Sequence, residues 1–494
     1  MNAPVTDATD PIHHRIDAAL HRLASFGGDL VGHADRIGAI LWSPPRIVVV
    51  GRLKAGKSTL VNALIEAPVA ETAALEATSV VTVYENGAPS RAEVVKLDGS
   101  RRPVRLTFGA TADLGVPETE VAYVHRHLPS QALTRITLVD TPGLATLTVA
   151  NAAATERALI DGFEQTRSAS VDADAAVFLF DSMPRADEIS FLQRLGFTPL
   201  NTLGVLSRAD GFGRGVLGHR DPIGHAVEHA GVLSRRLADV VGAVVPVAGL
   251  LAQTSHTGAF TENDARDLAA LAPFAPLELF DLLDVGDGAL PVPRDRVFRL
   301  IDMVGEYGLV HGRGPARGGA HQVNQWLTAA SGIDPLRAVL DRSLRRFAVL
   351  HRAGRIVAEL DALAYTHPAR DGIRQIVSEL KSDPALVQVG LLRSLRSLLE
   401  TDPSAPAVTE LTQLLRGATV AEALGADPSA PPEQLRTIAQ ERLVSVQTQS
   451  LSTRSAAEDA ALVSLTQAYT SIVRSWNRRC ERGPGPQARS GSPG

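Results

Sequence analysis

A glycine-rich segment between an apolar run and an amphipathic stretch has the residue types that bind phosphate. The sequence GRLKAGKS follows RIVVV and matches the pattern G-x-x-x-x-G-K-[ST] at every fixed position. Such glycines let backbone N–H groups point at phosphate oxygens, while Lys57 would reach the β- and γ-phosphates and Ser58 would hold Mg²⁺. The residues that we expect to contact the nucleotide here are Gly51, Arg52, Leu53, Lys54, Ala55, Gly56, Lys57, Ser58 and Thr59.

Two further segments would complete a magnesium and γ-phosphate site. In VDTPGL, Asp140 follows an apolar strand, and its carboxylate would help to hold Mg²⁺ there. Gly143 would offer an N–H to the γ-phosphate. A switch threonine should bind the same ion, and the candidates are Thr78 and Thr82. We favour Thr78 because it lies at a loop edge, whereas β-branching alone explains a threonine inside a strand. The predicted metal residues are Ser58, Thr78 and Asp140, and the predicted catalytic residues add Lys54, Lys57 and Gly143.

A third segment would recognise the base. In LSRADG, Ser207, Arg208 and Asp210 follow an apolar strand and resemble the [NT]-K-x-D element of GTPases. An aspartate acceptor selects guanine, because adenine lacks the N1–H and N2–H₂ donors, and an arginine can stack on the ring as a lysine stem does. Val247 and Ala248, in PVAG, would close the base pocket with backbone groups. The ligands implied are GTP or GDP with Mg²⁺.

These motifs need a parallel sheet to position them. Short β-branched runs alternate with helical stretches from residue 47 to about residue 251, as in α/β folds. The predicted strands are 46–50, 80–86, 135–140, 175–181, 202–207 and 243–248. They are too apolar for half-exposed strands, so we expect a mostly parallel P-loop sheet with helices on both faces.

Helical patterns dominate on both sides of this region. Residues 11–41 read as one helix or a helix pair interrupted at two glycines, and apolar residues recur every three or four positions beyond residue 331. Residues 433–482 contain neither Gly nor Pro, which allows one helix of roughly 70 Å. We therefore predict an extended α-helical bundle beside the α/β head.

Composition narrows the class of protein. The 494 residues are 45% hydrophobic, enough for two or three domains, and a net charge of -5 argues against nucleic acid as a partner. The single cysteine, Cys480, excludes an intrachain disulfide framework. The chain starts without an apolar leader and has no apolar run of membrane-spanning length. We expect a cytoplasmic protein whose membrane contact, at most, is peripheral at the inner face of the plasma membrane.

Two pairs of histidines are weak metal candidates. His13 and His14 are adjacent, and His125 and His127 occur as HRH. The sequence shows no cysteine or carboxylate ligand set around them, so we interpret all four as surface histidines.

Five segments together resemble the bacterial dynamin-like proteins: GRLKAGKSTLVNALI, ATSVVTVYENG, LVDTPGL, AAVFLFDSMPRADEISFLQRL and GIDPLRAVLDRSLRRFAVL. The resemblance covers about residues 12–365 with motifs, and the rest by helicity alone. It implies a GTPase head that dimerises with GTP and a helical bundle whose swinging remodels membranes, in tolerance to envelope drugs. The regions expected are N-terminal helices of a neck bundle (1–42), a dynamin-type GTPase domain (43–260), a connecting region (261–330), a helical neck and trunk (331–482) and a disordered tail (483–494).

The chain departs from the family pattern at two places. The family commonly has a serine three residues before the phosphate-loop lysine, where it helps to position a monovalent cation, and this chain has Lys54. Lysine is rare here, occurring only at positions 54, 57, 96 and 381, so we hypothesise that Lys54 supplies the positive charge, with Arg52 a weaker candidate. A solvent-facing Lys54 is the plain alternative. The second departure is the tip, where the proline-rich loops carry no apolar anchors or basic cluster.

Three functions remain open at this point. The first is a Mg²⁺-dependent GTPase that assembles through its heads as a homodimer or with a paralogous dynamin-like protein, which could also bring it to a membrane. The second is a weakly catalytic or non-catalytic nucleotide-binding subunit of such a paralogue, favoured by the SRAD element. The third is an Era-like assembly GTPase acting on RNA, which the acidic total charge and the helical half disfavour.

Overall fold

The computed structural model describes the chain in two compact units. The described residues are 11–52, 54–69, 80–104, 114–117, 120–141, 173–285, 290–417, 419–452 and 455–481. Those between 43 and 349 form the first unit, and 11–42 together with 350–481 form the second. The predicted site residues Leu53, Thr78 and Gly143, and the predicted tail, lie outside the described residues.

The first unit is built on a sheet of nine described strands. They are β1 (Arg46–Gly51), β2 (Thr82–Asn86), β3 (Arg91–Lys96), β4 (Arg101–Val104), β5 (Val121–Leu128), β6 (Thr137–Asp140), β7 (Ala175–Phe180), β8 (Thr202–Ser207) and β9 (Val244–Val247). Their order is β4-β3-β5-β2-β6-β1-β7-β8-β9. Strand β1 pairs in parallel with β6 and β7, and β8 and β9 continue the parallel half. The β-branched run of β1 therefore lies at the centre of the sheet.

The helices surround this sheet or form the second unit. They are α1 (Pro11–Ala24), α2 (Asp29–Trp42), α3 (Lys57–Ile65), α4 (Ala186–Arg194), α5 (Pro222–Arg236), α6 (Gly249–Thr257), α7 (Glu262–Ala270), α8 (Pro276–Val285), α9 (Arg294–His311), α10 (Arg313–Ala316), α11 (Ala320–Ser331), α12 (Ile333–Val339), α13 (Arg345–Thr366), α14 (Arg370–Ser382), α15 (Val387–Thr401), α16 (Pro406–Arg416), α17 (Val420–Leu424), α18 (Pro432–Gln449) and α19 (Ala456–Glu481).

Alternate residues of the central strands enter two separate hydrophobic clusters. Val48 and Phe178 belong to one cluster, whereas Val49 and Val177 belong to the other. Successive side chains of a strand point to opposite faces, so both faces of the sheet are covered. This agrees with the α/β head with helices on both faces that the apolar strand runs predict.

The chain between residues 261 and 349 contributes to the core of the first unit. Helices α7, α9 and α11 supply buried residues to one cluster, and α12 with the turn after it supplies buried residues to the other. Gly332, with φ 76°, separates α11 from α12, and a π-helical turn at Leu340–Leu344 precedes α13. The apolar stripe that starts at residue 336 is therefore interrupted, and its first half packs in the head unit.

Three described strands were not predicted. Strands β3, β4 and β5 mix charged residues or histidines with apolar ones, as in RAEVVK and VAYVHRHL, and so lack the apolar runs of the central strands. The six predicted strands are all present, with ends that differ by a few residues.

The second unit consists of helices in its described part. Helices α1 and α2 are the predicted pair, separated at Gly27 and Gly28, which both have positive φ. The predicted continuous helix over 433–482 is wrong, because α18 ends at Gln449 and α19 starts at Ala456. The intervening serines compete with the helix for backbone hydrogen bonds, and the Ser450 hydroxyl donates to Gln447 O. Helices α18 and α19 pack against each other instead.

Within the described chain, no helix combines the length and apolarity that crossing a membrane requires.

Candidate nucleotide site

The phosphate loop lies where the central strand β1 meets helix α3. Gly51 ends β1, and a Cβ there would come within 2.6 Å of Leu179 O on the neighbouring strand β7. Gly56 has φ 93°, a conformation that other residues rarely adopt, and it precedes the first residue of α3. The two fixed glycines of the motif are thus required for different steric reasons. Gly51 packs closely on the neighbouring strand, and Gly56 adopts a left-handed turn.

The lysine of the motif is buried over the loop. Lys57 is 8% exposed, and its Nζ donates to Gly51 O at 3.1 Å and Arg52 O at 2.9 Å. Burial lowers the pKa of this ammonium, and the nearby Asp140 carboxylate opposes that shift. The sequence prediction that Lys57 projects inside the loop is consistent with this position, and its ammonium can neutralise phosphate oxygens there.

Asp140, at the end of β6, is a buried carboxylate that lacks a partner. It is 2% exposed, and neither oxygen receives a hydrogen bond of ordinary geometry within the described chain. Burial raises its pKa to about 6, although Lys57, the Ser58 hydroxyl and the Thr141 N–H are close enough to lower it. An orphaned buried carboxylate beside a hydroxyl is the donor set that a hard divalent cation takes. Asp140 and Ser58 therefore fit a magnesium site.

The SRAD segment (207–210), which is predicted to recognise the base, contacts the phosphate loop directly. Arg208 is in a left-handed conformation (φ 55°), and its Nη2 donates to Lys54 O at 2.7 Å. Ser207 is buried, and its hydroxyl donates to Phe180 O at 3.3 Å. The arginine that replaces lysine in this element thus connects the two nucleotide loops.

Asp210 lies against a kinked helix, α9, whose position no local sequence pattern predicts. Burial raises the pKa of its carboxyl group, with Arg208 acting in the opposite sense. Helix α9 is kinked at Gly305, and a Cβ at that glycine would lie 3.3 Å from Asp210 Oδ2. Two residues further along α9, the Tyr307 hydroxyl donates to Asp221 Oδ1 at 3.0 Å. The kink leaves room for the carboxylate.

The remaining base-pocket candidates lie at the end of β9. Val247 and Ala248 are buried, and the Ala248 N–H donates to Ser331 O at 2.8 Å. The position of Gly249 adjoins Thr59 of α3, since a Cβ there would be 3.4 Å from Thr59 Cγ2. The PVAG turn and the phosphate loop therefore belong to one contiguous edge of the sheet.

Arg52 and Lys54 have different surroundings. Arg52 makes two hydrogen bonds of 2.7 Å to Glu188, whose side chain is only 3% exposed. Glu188 also accepts from the Arg185 N–H at the start of α4. Arg52 is thus paired with Glu188 of its own chain, which disfavours it as the positive charge that neutralises the γ-phosphate. The Lys54 side chain, by contrast, is exposed, and its backbone is left-handed (φ 63°). Sequence reasoning missed Glu188, although it lies in the quoted PRADEIS segment.

Thr82 is buried within β2, opposite Asp140 in the antiparallel register with β6. Its position in the strand agrees with the structural interpretation of that threonine.

The interpretation of the histidines as surface residues is wrong for two of the four. His13 is 4% exposed and packs beside Trp42, and His125 is 6% exposed. The expectation that no carboxylate ligand set surrounds the histidines is also wrong for His125 and His127, because Glu85 Oε2 is 3.0 Å from His125 Nε2 and the three residues lie together. Strand pairing between β2 and β5 brings these residues together, and that pairing was not predicted.

Comparison with known proteins identifies the family of this chain. A family model described as "50S ribosome-binding GTPase" matches residues 46–201. The isoniazid-induced protein IniC of Mycobacterium tuberculosis, in strains CDC 1551 / Oshkosh and ATCC 25618 / H37Rv, is 32% identical over 445 residues, which cover 83% of this chain and 86% of the relative.

Similar solved structures include an oligomerised bacterial dynamin pair, with TM-score 0.31 and 13% identity over 94% of this chain and 78% of that chain. A GTP-binding protein from Sulfolobus solfataricus in complex with GDP has TM-score 0.21 and 14% identity, over 60% of this chain and 68% of that one. The IniC alignment, which spans most of both chains, shows that this chain belongs to the IniC family, and its residues 46–201 match a GTPase domain.

Proposed function

We propose that this protein hydrolyses GTP to GDP and phosphate with Mg²⁺. The observation that carries the proposal is the buried pair formed by Lys57 and Asp140 at the carboxyl edge of the sheet, where a cation and an unpartnered carboxylate face the same loop. Phosphoryl transfer needs positioned charge more than covalent chemistry, and this edge supplies both signs of charge from rigid elements.

Each residue has a defined task in this proposal. The ammonium of Lys57 and the N–H groups of the loop bind the β- and γ-phosphates and stabilise the charge that develops during transfer. Ser58 and Asp140, with Thr78 from the switch segment, would hold Mg²⁺, which neutralises phosphate charge when bound. The Gly143 N–H would bind the γ-phosphate oxygens. The attacking nucleophile is water, so the chain forms no covalent bond to phosphate.

Guanine selectivity is assigned to Asp210. Its carboxylate accepts from the N1–H and N2–H₂ groups of guanine, and adenine offers neither donor at these positions. Arg208 bridges to the phosphate loop through Lys54 O, so its guanidinium plane lies between the two nucleotide loops and can pack on the base. Val247 and Ala248 supply the backbone wall of the pocket.

We further propose that nucleotide turnover drives dynamin-like mechanics. The head dimerises with itself or with a paralogue, and the helical unit moves with nucleotide state at a membrane surface that the protein reaches peripherally. Support comes from membership of the IniC family and from the helical second unit. The name of that relative records induction by isoniazid, which suggests a role in tolerance to envelope drugs. The bacterial dynamin pair is described as sensing and tethering membranes over long range.

A turnover assay across protein concentrations tests the enzyme proposal. GTP hydrolysis per chain should rise with concentration and respond to liposomes, and Lys57→Ala should lower it at least about 100-fold. Lys96→Ala is the matched control, because it removes a half-buried lysine of β3 that pairs with Glu120, away from the phosphate loop. Equal turnover by both variants would refute the assignment of the site.

One observation favours a second candidate, a nucleotide-binding subunit with little turnover. Ser207 donates its hydroxyl to Phe180 O, and a serine reaches less far than the Asn of the usual element and lacks the methyl group of the Thr. Base affinity would then be lower. Tight binding to a paralogous dynamin-like chain, with no hydrolysis at any concentration of this protein alone, would select this candidate.

A further inference from the structure

Three potential metal ligands meet on one face of the sheet away from the phosphate loop. His125 and His127 are alternate residues of β5, so their side chains share a face, and Glu85 of β2 is the register partner of His127. One ligand atom from each of the three residues lies within 4.8 Å of those from the other two. Ligand atoms around a tetrahedral zinc lie roughly 3.3 Å apart, so small side-chain rotations are sufficient to close the set.

The buried imidazole of His125 is the independent sign of a ligand. The residue is 6% exposed, and its Nδ1 has no hydrogen-bond partner within the described chain. Its Nε2 lies 3.0 Å from Glu85 Oε2 but without the alignment that a hydrogen bond requires. A buried polar atom without a partner destabilises the fold, and a metal ion held by His125 Nε2 and Glu85 Oε2 would satisfy that nitrogen.

The neighbours of the three residues leave one carboxylate oxygen for a metal. Arg46 approaches Glu85 at Oε1, with an N–O distance of 3.6 Å, whereas the other oxygen faces His125. Gly87 packs on His127, since a Cβ at position 87 would come within 3.0 Å of His127 Cβ. This contact restricts the ring, and restricted ligands lose less entropy on binding.

We propose that Glu85, His125 and His127 bind one divalent transition-metal ion of the zinc class. Two imidazoles and a carboxylate match the ligand preference of zinc rather than that of Mg²⁺, which prefers oxygen. The ion cross-links β2 to β5. It is separate from the nucleotide site, because Glu85 lies three residues, about 10 Å along the strand, beyond the residue that pairs with Asp140.

Zinc retention by the full-length, untagged protein tests this site. The protein is stripped with chelator, incubated with one equivalent of Zn²⁺ in excess Mg²⁺ and GDP, desalted, and its zinc content measured. Wild type should retain about one zinc per chain, and His125→Ala/His127→Ala none. The matched control is His219→Ala/His321→Ala, which removes two exposed histidines of the same unit and should retain zinc as wild type does.

A second readout keeps the test decisive if the double variant does not fold. Glu85→Gln and His127→Gln are smaller changes, and each should weaken zinc binding at least about tenfold. Co²⁺ should give visible d–d absorption in wild type and the control but not in these variants. Failure of wild type to retain zinc, or equal retention by wild type and His127→Gln, overturns the proposal.

Discussion

Replacing Asp140 with asparagine should stabilise the protein while weakening its nucleotide site. The carboxyl group is buried, and its pKa is raised from 3.8 to about 6. Below about pH 4 both the folded and the unfolded chain hold the proton, so the group contributes nothing. Between pH 4 and 6 the unfolded chain releases it first, so stability falls as the pH rises. Above pH 6 the group is ionised in both the folded and the unfolded chain, and the folded state carries the full free-energy cost of burying the carboxylate.

The size of this cost follows from the shift. A difference of roughly 2 pH units at about 1.4 kcal/mol per unit gives about 3 kcal/mol at pH 7.5, and about half of that at pH 5. The Asp140→Asn variant removes the ionisation, so its free energy of unfolding should exceed that of wild type by up to this amount. At about 2 °C per kcal/mol for a large unit, the midpoint of thermal unfolding should rise by up to about 6 °C at pH 7.5.

Thermal unfolding in EDTA without nucleotide, at pH 5 and pH 7.5, measures this difference. Adding Mg²⁺ and a non-hydrolysable GTP analogue should raise the midpoint of wild type more than that of the variant, because the variant lacks the carboxylate. The control is Asp174→Asn, since Asp174 is fully buried but its Oδ2 accepts from the Arg46 N–H at 2.9 Å. It should not be stabilised. A stability gain that does not change with pH, or equal stabilisation of wild type and Asp140→Asn by the ligand, would refute the reasoning.

Three further predictions concern the ties around the phosphate loop. Arg208→Ala should weaken GDP binding more than Arg208→Lys, because it removes the donor to Lys54 O; equal affinities of the two variants in calorimetry would contradict this. Arg52→Ala should lower the free energy of unfolding by about 2–3 kcal/mol, because it leaves the buried Glu188 carboxylate without its arginine. The double variant Arg52→Met/Glu188→Met should recover most of that loss, and denaturant unfolding measures both. Lys54→Ala should lower GTP turnover and make it K⁺-dependent if the ammonium replaces a cation. Lys54→Gly also relieves the strain of the left-handed backbone, so comparing the two variants distinguishes the effect of the charge from that of the strain. Unchanged turnover and cation response in both variants would refute the role of Lys54.

The central part of the fold could be predicted because its signals are local. An apolar β-branched run such as β1 must be covered on both faces, and the glycine and lysine positions of the phosphate loop follow from backbone geometry and charge. Strands β3, β4 and β5 gave no such signal. In β5 the two histidines share a face with Val121 and Tyr123, and the burial of that face depends on β2 and β3, which are distant in sequence.

The contacts of the site were less predictable than its residues. Asp210 could be proposed as a base acceptor from its motif, but its neighbour Gly305 is 95 positions away in a segment that carried no motif. The partner of Arg52 required the position of α4 relative to the loop. Such pairs depend on tertiary packing, and local spacing does not encode them.

The two arginines beside the phosphate loop explain how a left-handed lysine can persist in it. A lysine at φ 63° is strained by roughly 1–3 kcal/mol relative to glycine, so the surrounding contacts must hold that conformation. Arg208 holds the Lys54 carbonyl from the base segment, and Glu188 holds Arg52 from the opposite side. The Arg52 and Lys54 positions are thus held by contacts within the chain, which lowers the entropic cost of binding phosphate. The same arrangement makes the Lys54 backbone the point where the base segment acts on the phosphate loop.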